Sequence, residues 1–138
     1  MTQLHIFQPF FAMMFLTLAV WLFMFTVRIR FLTSGSAGSV DLSKPGELAR
    51  ISPAEISNPS DNLKNLFELP VLFYAIVLYL YATNSVDGIH VACAWVFAVF
   101  RMLHSFVHCT FNHVMLRFYL YLIAAIGLWT MVVRAALA

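Results

Sequence analysis

The chain has 138 residues, of which 62% are hydrophobic and only 10% charged, and its formal net charge is +2. Soluble domains carry about a quarter charged residues, so this composition excludes a water-soluble globular protein. The small net charge and the scattered basic residues exclude a nucleic-acid partner. We therefore predict one integral membrane domain, residues 1–138, with membrane lipid as its surroundings.

The first predicted span covers about residues 7–31, because a membrane helix needs about 20 mostly apolar residues. Arg28 and Arg30 lie in its last turn. The next stretch, about residues 32–60, is polar and rich in glycine, serine and proline. We predict that it forms a long water-facing loop.

The other predicted spans are about residues 61–82, 88–110 and 114–134. Ser60 or Asp61 is expected to cap the second span. Pro70 lies inside that span and predicts a kink instead of a break, since neighbouring membrane helices can satisfy the freed carbonyl. The predicted fold class is thus all-α, an integral membrane four-helix bundle.

Four spans would place both termini on one side of the membrane and the long loop on the other. Most basic residues fall on the loop side, namely Arg28, Arg30, Lys44, Arg50, Lys64 and Arg117. The terminal side has Arg134. The positive-inside rule therefore predicts a cytoplasmic loop and both termini outside the cytoplasm.

The segment from Arg101 to Arg117 places ionisable side chains in an otherwise apolar region. Arg101, His104 and His108 are spaced i, i+3, i+7, so a helix would align them along one face. Ionisable groups are expensive in hydrocarbon, which indicates a site or a buried network. At a similar depth, the second span carries Asn65 and Glu68, and the fourth carries Arg117 and Tyr121.

Three interpretations of these polar residues remain open from the residues alone. Glu68 and Arg101 lie at similar depth, so a buried structural ion pair would satisfy both. His104 and His108 are spaced to hold a metal or a haem, with Glu68 or His113 as a further ligand. Taken together, the cations with their amide and carboxylate partners suit a small anionic, peptide-like ligand, since arginine binds carboxylates through two parallel hydrogen bonds.

Three motifs carry a resemblance to the MAPEG family, the membrane-associated proteins in eicosanoid and glutathione metabolism. They are VRIR at Val27–Arg30, NLFELP at Asn65–Pro70, and the Arg101–Arg117 stretch. The combination of Asn-x-x-Glu before a proline with a later Arg-x-x-His and a second arginine is more specific than VRIR alone. The resemblance covers nearly the whole chain and is closest to the bacterial branch of the family.

The resemblance implies a homotrimer in a bacterial inner membrane, with glutathione bound between neighbouring subunits near the cytoplasmic face. The positions that match glutathione-binding residues are Arg28, Asn65, Glu68, His104, Arg117 and Tyr121, and His108 joins them in place of a usual tyrosine. Arg117 would be the catalytic residue that stabilises the glutathione thiolate. Arg101 resembles the buried arginine of the third helix.

The first functional hypothesis is therefore a glutathione-dependent transferase or peroxidase that acts on small hydrophobic electrophiles. The chain departs from the family pattern at Asp61, where enzymes usually have a basic residue, at Lys64, where arginine is common, and at Phe118, where prostaglandin E synthase has serine. Asp61 and Phe118 favour a second hypothesis, a non-catalytic lipid-binding or scaffold protein of the same fold. The third hypothesis is a metal or haem protein.

Overall fold

A computed structural model describes residues 3–138, and over that range every regular element is helical. A short 3₁₀ turn at Gln3–Ile6 is followed by α1 (Phe7–Thr33), α2 (Glu47–Ile51), α3 (Ala54–Asn65), α4 (Leu69–Ala82), α5 (Gly88–Cys109) and α6 (Val114–Leu137). Within this range four segments are long and apolar enough to cross a membrane: Gln3–Thr33, Ala54–Ala82, Gly88–Cys109 and Val114–Leu137. The prediction of an all-α chain with four spans is confirmed.

The second span begins earlier than predicted. Helix α3 starts at Ala54, and Pro53 precedes it in an extended conformation. The predicted caps Ser60 and Asp61 are therefore wrong, because both lie inside α3. The predicted loop is also too long, since residues 54–60 are helical and the short helix α2 interrupts the rest. A search for apolar spans misses the start of α3 because its first turns are polar.

Pro70 coincides with a break in the second span, not with the predicted kink. Helix α3 ends at Asn65 and α4 begins at Leu69. A proline ring clashes with the carbonyl four residues earlier, here that of Leu66, and it has no N–H to donate to that carbonyl. Glu68, at φ −95° and ψ −107°, lies outside the helical region. The chain therefore starts a new helix with Pro70 in its first turn, where a missing N–H does no harm.

Helices α5 and α6 approach each other closely at Gly127. A Cβ atom at this position would lie 3.0 Å from the carbonyl oxygen of Cys93 and 3.4 Å from the backbone nitrogen of Phe97. Phe97 in turn stacks on Phe73 of α4, with ring centroids 4.5 Å apart. The close approach at Gly127 sets α5 against α6, so the polar face of α5 lies next to the start of α6.

The turn between α4 and α5 is bonded to the end of α6. Asp87 caps α5 by accepting a hydrogen bond from the backbone N–H of His90 at 2.8 Å, and its other oxygen accepts from Arg134 Nη2 at 2.6 Å. The hydrogen bond from the His90 backbone, together with the bond from the Arg134 guanidinium, lowers the pKa of the Asp87 carboxyl. These contacts secure the end of the bundle that carries both termini, opposite the polar residues of Arg101–Arg117.

Candidate functional site

A cavity of about 230 Å³ lies where the end of α3 meets α5 and the start of α6. Its lining residues are Asn65, His104, His108, Val114, Arg117, Phe118 and Tyr121. Five of these residues were predicted from the sequence, and three helices contribute them. The shared α5 face and the close packing of α5 on α6 explain why they converge.

Two of the predicted site residues lie elsewhere in the chain. Arg28 donates a hydrogen bond from Nη2 to the Ser60 hydroxyl at 2.9 Å. It lines a second cavity of about 290 Å³, together with Asp61 and Lys64. Glu68 is exposed on the surface of the chain, in the break between α3 and α4. Within a single chain, therefore, the predicted site residues are divided between separate surfaces.

Within one chain, Glu68 and Arg101 do not form the predicted ion pair. Among the ion pairs of residues 3–138, none joins these two side chains. Arg101 is completely buried, and its Nη2 donates to both the backbone carbonyl and the side-chain Oδ1 of Asn65, each at 3.0 Å. The helix break explains why Arg101 bonds Asn65 and not Glu68. It ends α3 at Asn65, so among the described residues the Asn65 carbonyl accepts, besides the bond from Arg101, only a long bond of 3.4 Å from the Glu68 backbone N–H, and it leaves Glu68 on the surface.

Arg101 supports the wall of the first cavity from behind. Its guanidinium carbon lies 5.7 Å from the centroid of the Tyr121 ring, within the range of a cation–π contact. The same ring lies beside His104, with centroids 6.2 Å apart. Arg101 thus fixes Asn65 and Tyr121, which belong to different helices, without lining the cavity.

The two histidines of α5 are buried side by side. Their ring centroids are 5.7 Å apart and the rings are perpendicular. In the described part of the chain, Nδ1 of His104 and Nδ1 of His108 are buried without a hydrogen-bond partner. Buried polar atoms are normally satisfied, so these two are unusual and mark the cavity wall as a place where further polar groups would be accommodated.

The expected further metal ligands do not join the two histidines. Glu68 is exposed, and Nδ1 of His113 accepts a hydrogen bond from the backbone of Leu116 as the cap of α6. Across residues 3–138 no group of three or more histidine, cysteine, aspartate or glutamate side chains is placed to hold a metal ion. The pair His104 and His108 therefore lacks the third protein ligand that catalytic zinc sites have.

Arg117 is held by residues that sequence reasoning did not identify. Its Nη1 donates to Asn112 Oδ1 at 2.7 Å, and Asn112 Nδ2 donates to Asn58 Oδ1 at 3.2 Å. The one sequence signal for Asn112 was its place in the short FNH turn, since asparagine tolerates turn conformations. Nothing in the sequence linked Asn58 to that turn.

A second polar network that the sequence did not reveal joins α3 to α5. The Ser105 hydroxyl donates to Asn62 Oδ1 at 3.3 Å, and Asn62 Nδ2 lies 3.5 Å from the sulfur of Cys109. Asn62 and Ser105 are both buried. Polar contacts of this kind between membrane helices hold them in register. This network keeps α3 against α5 next to the candidate site.

The cavity is suited to an anionic group. Arg117 supplies a permanent cation, while Asn65, Tyr121 and the two imidazoles supply further hydrogen-bonding groups. The cavity lies toward the ends of the helices that adjoin the long loop. Phe118 at its edge is 54% exposed and extends the apolar surface.

Comparisons with known proteins agree with this architecture. The family model of the MAPEG family matches residues 6–137, which include all four membrane-spanning segments from Ile6 onward and every residue of the cavity. No curated protein and no solved structure matches the chain. Since the family match covers nearly the whole sequence, this integral membrane protein belongs to the MAPEG family.

Proposed function

We propose that this protein is a glutathione-dependent transferase or peroxidase that acts on small hydrophobic electrophiles dissolved in the membrane. The observation that carries the proposal is the convergence of Arg117 with Asn65, His104, His108 and Tyr121 around one cavity. A cation beside a bound thiol lowers the thiol pKa and favours the reactive thiolate. In this proposal Arg117 is the catalytic residue, and the other four hold glutathione.

The proposed chemistry begins with ionisation of the glutathione thiol, whose proton leaves to water. In a transfer reaction the thiolate sulfur forms a bond to an electrophilic carbon, and the leaving group departs with the electron pair of the broken bond. In a peroxidase reaction the sulfur attacks the terminal oxygen of a hydroperoxide, and the alcohol leaves after taking a proton. The resulting sulfenic acid of glutathione reacts with a second glutathione to give the disulfide and water.

We further propose that neighbouring subunits of a homotrimer complete the site. The cavity of about 230 Å³ is smaller than the roughly 300 Å³ at which ligand pockets usually begin. Arg28 and Glu68 match the family pattern but lie on other surfaces of the chain. Contact between copies would allow these residues of one subunit to meet the cavity of the next.

The proposed location is a bacterial inner membrane, with the loop between α1 and α3 in the cytoplasm and both termini outside. The supporting observation is the excess of basic residues at the loop end of the bundle. We expect Ser43→Cys, in a chain whose Cys93 and Cys109 are replaced by serine, to react with a membrane-impermeant thiol reagent only after cells are opened. Labelling in intact cells would reverse the proposed orientation.

A second candidate function, a non-catalytic lipid-binding or scaffold protein, is favoured by two features of this chain. Asp61 forms an ion pair with Lys64 at 3.1 Å, so an acid partly offsets a cation next to Arg28. Phe118 adds an apolar surface at the edge of the cavity. Both features weaken a site for the carboxylates of glutathione.

Calorimetric titration of glutathione into the purified protein separates the two functions. We expect saturable binding by the natural chain. We also expect Asp61→Arg to bind about fivefold more tightly, because it removes an acid and adds a cation beside Arg28. Asp41→Arg makes the same change in charge in the exposed loop, away from both cavities, and should leave the affinity unchanged.

Binding together with turnover of an aryl halide or a hydroperoxide would support the enzyme. Binding by Asp61→Arg alone would indicate a family site that one residue has disabled. The absence of binding in every variant would contradict the enzyme and favour the scaffold.

A further inference from the structure

Asn112, in the turn of residues 110–113, connects three helices at one point. Its backbone N–H donates to the carbonyl of Val107 at 2.8 Å and so ends α5. Its φ of +50° lies in the left-handed region, which asparagine tolerates better than most residues. Its side chain bonds Arg117 on α6 and Asn58 on α3. The residue therefore combines an uncommon backbone conformation with two directed side-chain contacts.

The guanidinium of Arg117 determines which way the Asn112 amide faces. The reverse orientation would set an NH₂ group against a guanidinium, two donors with no acceptor between them. With its oxygen toward Arg117, the Asn112 nitrogen donates to Asn58 Oδ1 at 3.2 Å. This second bond ties the Asn112 side chain to α3.

Asn112 holds Nη1 of the Arg117 guanidinium, whose Nε is buried without a partner among residues 3–138, and leaves Nη2 for a ligand. The bond of 2.7 Å uses a donor on Nη1, whereas an arginine has five N–H donors in a rigid fork. A free arginine side chain samples many rotamers, and ordering it on binding is unfavourable. An acceptor that holds the group in advance removes part of this penalty before a ligand arrives.

The acceptor on Asn112 is a neutral amide, and this matters for the chemistry. A carboxylate in the same place would form an ion pair with Arg117 and offset the charge that a thiolate needs. A neutral acceptor fixes the direction of the guanidinium and leaves its full charge for the ligand. We propose that Asn112, tied to α3 by its bond to Asn58, is a positioning residue that presents a preorganised Arg117 without a paired carboxylate to the thiolate.

This inference rests on the proposed role of Arg117, and two substitutions of Asn112 test it. Asn112→Gly deletes the amide and keeps the left-handed backbone free of strain. We expect kcat for glutathione transfer to fall about tenfold, the KM for the electrophile to change less than about twofold, and the pH of half-maximal kcat to rise. Asn112→Asp keeps an acceptor and adds a charge, and we expect the same upward shift in pH.

Asn84→Gly is the matched control. Asn84 is the other left-handed residue besides glycine in the described part of the chain, with φ +55°, and it lies in the turn at the opposite end of the bundle. Its replacement should leave kcat and the pH profile unchanged. Asn58→Ala removes the bond that ties the Asn112 side chain to α3 and should reproduce the pH shift to a smaller extent.

The inference would be overturned if kcat of both Asn112→Gly and Asn112→Asp depended on pH in the same way as kcat of the unsubstituted chain. A fall in thermal stability and rate without movement of the pH profile would assign Asn112 a structural role and also overturn it. If Asn112→Gly does not fold, the pH profile of Asn112→Asp decides alone. Failure of the proposed function is recognised separately, because Arg117→Ala would then leave the rate unchanged.

Discussion

Arg117→Ala is expected to slow glutathione transfer by about 100- to 1000-fold in kcat, the range found when a charge-stabilising group is removed from an active site. The physical reason is that the thiolate would lose the one permanent cation among the residues that line the cavity. Without this cation the pKa of the bound glutathione thiol should rise, so a smaller fraction of the thiol should be ionised at neutral pH. Steady-state kinetics as a function of pH would measure both effects.

Arg30→Ala is the matched control for this experiment. Arg30 carries the same charge at the same end of the bundle, but it is exposed at the end of α1 and does not line the cavity. Its removal should change the rate less than about twofold, because exposed charges act weakly through water. Equal rates in Arg117→Ala and in the natural chain would show that Arg117 has no role in the chemistry.

Asn65→Ala is expected to lower the free energy of unfolding by about 2–3 kcal/mol, because it removes a side-chain acceptor from a buried cation. Arg101 would keep the Asn65 carbonyl and lose Oδ1, two contacts that are both 3.0 Å long in the natural chain. Equilibrium unfolding in mixed detergent micelles, followed by circular dichroism, would measure the loss. Lys64→Ala, at the exposed preceding position, should stay within about 0.5 kcal/mol.

A double-mutant cycle with Arg101→Met shows whether the loss arises from this contact. In the Met variant no buried cation remains, so adding Asn65→Ala should have a smaller effect than in the natural chain. Additive losses would mean that Asn65 stabilises the protein by another route.

Much of the site was predictable because helical spacing is a local property. Arg101, His104 and His108 share a face of any helix that contains them, and Tyr121 follows Arg117 by one turn. The structure brings all of them to one region, together with Asn65. The pairing of Glu68 with Arg101 failed because it rested on depth alone, and depth does not specify the direction in which a side chain points.

The sequence by itself determined the membrane character, the four spans and the end of the bundle that is polar. These properties depend on the composition of windows of about 20 residues, so a linear reading suffices for them. Only the tertiary structure decided that Pro70 breaks the second span, that Arg101 bonds Asn65, and that Asn58 and Asn112 direct Arg117. Such partners lie up to 54 positions apart in the chain. Which residues become hydrogen-bond partners depends on the buried donors and acceptors that remain unbonded once the helices have packed.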